Sequence, residues 1–268
     1  MKSLRGLLFI TAITMLLPSL CDAANWGVSF ENKIGAATYS ETYKPFELKG
    51  RADTFYYEGV VAATYQRPKG EKGVVERIDF GMPVTPYGPE VWKVSGRRYQ
   101  TDDMRFWGAK TNIEFGYAFP VLEDRLTITP IGRYGFNFTR FSRTNFTLLN
   151  ILRSSIVVNE NCWVHHLDLG ARITHYASDR ITFRFMGLFG FVVSDIAHNS
   201  VLGSITGDGG YIAETDFNID CRFTETMKAT LGGFFGLQHL EGGESDTAIW
   251  PDNTLTTYGG MLSLTKQF

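Results

Sequence analysis

Ten stretches of about fourteen residues alternate apolar and polar side chains, and the segments between them come in two strictly alternating sizes. In RITFRFMGLFGFVV (180–193), Ile181, Phe183, Phe185, Phe189, Phe191 and Val193 share one side of an extended chain. Arg180, Thr182 and Arg184 open the other side, which then turns apolar with Met186, Leu188 and Val192. A strand turns successive side chains to opposite faces. The predicted strands cover about 26–40, 53–66, 73–84, 105–119, 125–140, 162–177, 180–194, 210–223, 227–239 and 254–268. Short polar separators at 67–73, 122–125, 178–180 and 224–226 alternate with long ones at about 41–52, 85–104, 141–161, 195–209 and 240–253.

Soluble strands are usually about five or six residues long, whereas a tilted membrane strand needs about nine to eleven. A soluble sandwich turns every 8–12 residues or so and has no need of the long–short rhythm. An even number of strands with short turns at one end and long loops at the other predicts an all-β, transmembrane, antiparallel up-and-down barrel of about ten strands. The phenylalanine face then meets lipid, and neighbouring strands satisfy the backbone groups that water cannot reach. The arginine face lines the lumen.

The first residues read as an address. Lys2 and Arg5 precede an apolar run from Leu7 to Leu17, too short to span a bilayer as a helix, and small residues follow at Ala23 and Ala24. The expected organisation is a signal peptide over 1–23 and a barrel domain over 24–268. Leu20 before Cys21 does not fit a lipoprotein signal. Basic and acidic residues nearly balance, 26 against 28, so no long-range field points to nucleic acid.

The signal peptide, the ten alternating strands and the C-terminal GGMLSLTKQF resemble the bacterial outer-membrane β-barrel proteins. The resemblance is architectural and covers essentially the whole chain after the signal peptide. It implies a bacterial outer-membrane address in a diderm cell, contact with outer-membrane lipid and lipopolysaccharide, and recognition by the outer-membrane assembly machinery. The C-terminal residues that match the pattern read by that machinery are Leu262, Leu264 and Phe268. Lys266 departs from the pattern, where an aromatic or apolar residue is usual.

Alternation assigns a charged lumen. Lys110, Arg133, Arg172, Arg184, Arg222 and Lys228 face Glu114, Asp168, Glu214, Asp216 and Asp220, with His166 among them. On the first three strands Lys33 and Arg77 join with Glu31, Glu58 and Asp79. Eight-stranded barrels have filled interiors and open porins need about 16–18 strands, so ten strands lie near the filled end. Equal numbers of both signs suit pairing, because buried unpaired charges are costly. The expected function is therefore a structural or surface-interaction barrel with a mostly filled, charge-paired lumen. A narrow channel for small solutes or ions is the alternative, with lumen glycines such as Gly135 and Gly190 leaving room. A second alternative is an outer-rim hydrolase acting on lipid or peptide.

The hydrolase reading needs His198 and Ser200, whose spacing puts both side chains on one face. A loop without a locatable third member is the plainer account, so no catalytic residue is assigned. Asp102-Asp103, and Asp195 with His198, resemble in residue type alone the acidic and Asp–His pairs of the omptin proteases, which are also ten-stranded. Adjacent aspartates point to opposite faces and hold one water poorly. His165, His166, Asp168 and His175 fall on both faces and cannot converge on a metal ion. No cofactor is expected, and no bond between Cys162 and Cys221, which the strand tracing sets at opposite ends of the barrel. The loops 85–104 and 141–161 are the expected sites for an extracellular ligand. The first should form a hairpin turning at Ser95-Gly96. The second, with the apolar run TNFTLLNILRSSIVV (144–158), is expected to fold inward as a plug, with a contact surface for a partner as the alternative.

Overall fold

The computed structural model describes residues 26–268 except 45–46, 123–124 and 245–248. The signal peptide expected over 1–23 lies outside the described residues. Ten long strands make the barrel. They are β1 (Trp26–Tyr43), β2 (Leu48–Tyr65), β3 (Gly73–Val84, resuming as Gly88–Val94), β4 (Arg97–Val121), β5 (Leu126–Leu148), β6 (Val158–Tyr176), β7 (Ile181–Asn199), β8 (Gly210–Arg222), β9 (Met227–Leu240) and β10 (Asp252–Gln267). Each pairs antiparallel with the next, and β10 returns to β1 from Gly27↔Gln267 to Thr42↔Asp252. The ring therefore has no free edge. Both ends of the described chain lie at the short-turn end, where the Phe268 amide donates to the Trp26 carbonyl at 2.8 Å. By the rule of short periplasmic turns this is the periplasmic end.

All ten expected strands exist, but most run further outward than the alternation suggested. The segment 85–104 is almost entirely strand. Thr85 to Tyr87 interrupt β3, because Pro86 has no N–H to donate to the ladder. Thr85 closes the gap, its amide donating to the Phe106 carbonyl at 2.9 Å and its hydroxyl accepting from the Phe106 amide at 2.8 Å. The β3–β4 hairpin turns at Ser95-Gly96 as expected, both at positive φ (46° and 79°), the conformation of a tight turn that matches strand twist.

The plug expected from 144–158 is not formed. Phe146 to Leu148 pair with Ser154 to Leu152 in a small hairpin, and Leu149 and Asn150 at its tip have φ of 49° and 60°. That turn aims the apolar side chains away from the lumen: Ile151 is 79% exposed and Leu152 64%.

A belt of exposed apolar side chains runs around the wall, including Phe30, Phe80, Phe115, Leu169, Phe189, Phe217, Leu231 and Leu262. The alternate positions on the same strands are buried inside. In water such a belt would aggregate; in a bilayer it is the solvated face. Arginine at the midplane of a barrel's lipid face costs about 2–4 kcal/mol. Phe189→Arg is expected to lose that much in urea unfolding from lipid vesicles. An unchanged midpoint would remove Phe189 from the lipid belt.

Candidate lumen site

The lumen is built in three layers. The lower layer, toward the periplasm, is ionic. Arg77 binds Glu31 and Asp79, each at 3.0 Å, and Glu58 lies between Lys33 at 3.5 Å and Lys110 at 3.7 Å. Arg172 donates to Glu114 at 2.6 Å. Asp220 takes Arg184 at 2.8 Å, Lys228 at 3.3 Å and the Thr230 hydroxyl at 2.6 Å. Arg133 bridges Asp168 and Glu214, and Asp168 also holds His166 Nδ1 at 2.8 Å. These groups come from nine strands, β1 to β9, so the network ties the wall together across the lumen. Charges buried at this density persist only with partners of opposite sign and satisfied hydrogen bonds.

Two members of the sequence-assigned set stand apart. Asp216 accepts from Asn218 Nδ2 at 2.7 Å and forms no ion pair among the described residues. Arg222 is exposed at the periplasmic mouth, where β8 ends, and likewise makes no ion pair among them. The room attributed to glycines is taken. Asp168 lies over Gly190, where a Cβ would come within 1.8 Å of its Oδ1, and the His166 ring lies over Gly135 at 2.1 Å from such an atom. Space remains in the middle of the layer, a cavity of about 120 Å³ lined by Lys33, Glu58, Glu214, Asp216 and Met186 among others. Met186 faces the ions there, its sulfur 3.8 Å from an Arg172 nitrogen, while Leu188 is buried.

The middle layer is apolar. Five aromatic rings cross it in sequence, with centroid separations of 5.8 Å from Phe234 to Tyr56, 6.4 Å to Phe106, 5.8 Å to Phe141 and 4.6 Å to Tyr39. They come from β9, β2, β4, β5 and β1. Met104, Val164, Ala197, Ile205, Leu240 and Trp250 complete the same buried cluster. Strand residues, Ile205 from the β7–β8 loop and Trp250 from the β9–β10 loop thus supply the apolar filling expected of 144–158.

The outer layer was not found from the sequence. Arg143 on β5 donates to Glu41 Oε1 on β1 at 2.9 Å and to Glu90 Oε2 on β3 at 2.7 Å. Glu90 and Asp102 face each other in register across β3 and β4. Glu90 Oε1 and Asp102 Oδ1 have no donor among the described residues, so a hydrogen bond between the two carboxyls needs one shared proton. Burial, together with the hydrogen bond and charge of Glu90, pushes the Asp102 carboxyl up to about 8. Burial likewise pushes Glu41 up to about 7. Both lie far along their strands from the periplasmic turns, above the roughly ten residues that a bilayer takes.

The remaining candidates separate. His198 points outward and its Nδ1 is bound to Ser204 Oγ at 2.9 Å, while the Ser200 hydroxyl accepts from the Asn159 amide at 3.0 Å. Asp195 is turned inward and buried, on the opposite face from His198, and burial pushes its carboxyl up to about 6. A bulge at Val193, between the pairs His165↔Ser194 and His166↔Val192, sets this reversal. Asp102 is inward and Asp103 outward, where Asn145 donates to it at 2.7 Å. His165 faces out and meets the Tyr134 hydroxyl at 2.6 Å; His175 stacks on Phe183. Cys162 and Cys221 are free, one buried and one exposed. Leu262, Leu264 and Phe268 all face outward, with Lys266 curled so that its ammonium lies 5.3 Å from the Phe268 ring.

The closed antiparallel ring, its apolar belt and its charged interior define a bacterial outer-membrane β-barrel of ten strands, and the belt places the chain in that membrane. Among solved structures, it is similar to the outer membrane protease OmpT from Escherichia coli, with a TM-score of 0.68 at 9% identity over 92% of this chain and 98% of that one. The transport unit of the autotransporter AIDA-I from Escherichia coli also aligns, at a TM-score of 0.46 and 9% identity over 93% and 92% of the two chains. No protein-family model matches the chain, and no curated protein matches it. At such identity the likeness to OmpT is one of fold.

Proposed function

We propose that this barrel is closed to solute flow and works as a structural or surface-interaction protein at the cell exterior. The observation that carries this reading is the chain of five rings from Phe234 to Tyr39, which crosses the lumen between two charged layers. An apolar, close-packed layer admits neither ions nor their hydration shells. Contacts are then made by the outer hairpins over 85–104 and 141–161. The exposed Ile151, Leu152, Ile156 and Val157 on the second support a partner-facing role. Outward Arg105 and Arg140 beside Trp107 support contact with lipopolysaccharide, and the outward Leu262, Leu264 and Phe268 support recognition by the assembly machinery. His198 and Ser200 are engaged with other groups, which gives the hydrolase reading no support.

The test is planar-bilayer conductance of protein refolded in detergent and shown to be folded by a gel shift on heating. The expected result is no current steps. Reproducible steps that change in Glu214→Gln would replace this reading with the narrow channel.

A further inference from the structure

The periplasmic mouth has a charge arrangement that the closed-barrel reading does not use. A cavity of about 90 Å³ opens there, among the short turns. Its wall carries six cationic side chains, Arg67, Arg172, Arg180, Arg184, Arg222 and Lys228, against three acidic ones, Glu71, Asp179 and Asp220. The lumen above is balanced; this end is not. Asp220 already serves both Arg184 and Lys228. Asp179 is turned to solvent, its side chain 96% exposed, and pairs with Lys69 at 3.6 Å. Arg172 is held by Glu114. That leaves Arg67, Arg180 and Arg222 as guanidiniums without an ion pair among the described residues. Arg67 lies over the Tyr65 ring at 5.4 Å, and its buried Nε has no acceptor.

Arg180 and Arg222 are brought together by the sheet. The Arg222 amide donates to the Arg180 carbonyl at 2.8 Å, so the two residues sit side by side where β7 begins and β8 ends. Both side chains line the same cavity, where like charges repel unless an anion neutralises them. Guanidinium forks suit oxyanions that accept several hydrogen bonds at once. Thr127, Thr174 and Thr182 add hydroxyls to the same wall.

We propose that this vestibule binds a small, multiply charged phosphate-type anion entering from the periplasm, with Arg67, Arg180 and Arg222 as its principal ligands. The site is independent of whether the lumen conducts, because it lies below the aromatic layer and opens on the other side.

The test is calorimetric titration of inorganic pyrophosphate into refolded protein in phosphate-free non-ionic detergent at low salt. One site per chain is expected, with affinity falling more than tenfold in the double variant Arg180→Ala, Arg222→Ala and weakening as salt rises. Both substitutions are at exposed positions, and the heat-dependent gel shift checks that the variant remains folded. Arg97→Ala, at the opposite end of the barrel, should leave the affinity unchanged. Absence of binding, or equal binding by the double variant, would overturn the proposal. A short-chain phosphatidic acid is titrated in parallel. Tighter binding of that lipid than of pyrophosphate, lost in the same double variant, would assign the arginines to a headgroup and overturn the free-anion site.

Discussion

Replacing Arg143 by alanine is expected to lower the unfolding free energy by about 3–5 kcal/mol, the usual cost of removing one partner from a buried ion pair. The side chain is 7% exposed and is clamped by Glu41 and Glu90, which are 4% and 0% exposed. Its guanidinium also lies 5.7 Å from the Tyr39 ring and 6.0 Å from the Trp92 ring. Because β5 and β1 are not neighbours in the ring, the Arg143–Glu41 contact is a strut across the lumen rather than a rung along the wall. Alanine leaves the buried Glu90 charge, and whatever fraction of Glu41 is ionised, without a counter-ion, and that uncompensated charge, more than the lost contact, sets the size of the effect. A compensated variant separates the two contributions. Arg143→Met combined with Glu41→Gln and Glu90→Gln removes the uncompensated charge and should recover most of the lost stability. Urea unfolding from lipid vesicles, followed by tryptophan fluorescence, measures both. A loss under 1 kcal/mol for Arg143→Ala would show that the strut carries no load.

This outer layer also marks where the sequence stopped being readable. Within the membrane, burial on both sides of the wall differs so sharply that alternation alone assigns Lys110, Glu114, Arg133, His166 and Asp168 inward. The same alternation continues above the bilayer. Asp102 has the parity of Lys110 and Glu114, Arg143 that of Arg133, and Glu41 that of Glu31. Carrying each strand past the membrane would have assembled the cluster. It was missed because Glu41, Glu90, Asp102 and Arg143 fall in segments whose polarity on both faces reads as loop. On β3 and β7 the extension would have failed. The break at Pro86 shifts the phase, so Arg77 and Glu90 both face inward at opposite parities, and the bulge at Val193 does the same for Arg184 and Asp195. Nothing local in the sequence announces that bulge. The fate of 144–158 was equally hidden. Its apolar residues suit a plug or an outer surface alike, and two residues at positive φ, Leu149 and Asn150, decide between them. The periplasmic surplus of arginine was invisible for another reason. Counted over the whole lumen the charges balance, and only the partnering at Asp220 and Glu114 shows which cations are left over.

Stability should fall as pH rises from 5 to 9, and Asp102→Asn should remove part of that fall. A free aspartyl group titrates near 4, whereas burial beside Glu90 holds Asp102 up to about 8. Between those values the folded barrel binds a proton that the unfolded chain has released, so unfolding gains on folding as pH increases. The contribution is complete below the unfolded value and is lost as pH passes through the folded one. Its slope is at most about 1.4 kcal/mol per pH unit for one proton. Glu41, pushed up to about 7, adds a slope of the same sign over a lower window. An asparagine at 102 stays neutral at every pH and can still donate to Glu90, so the variant should match the native barrel near pH 5 and exceed it at pH 9. Equal pH slopes for the two would show that Asp102 is ionised in the folded state, and then Arg143 alone would have to hold three carboxylates.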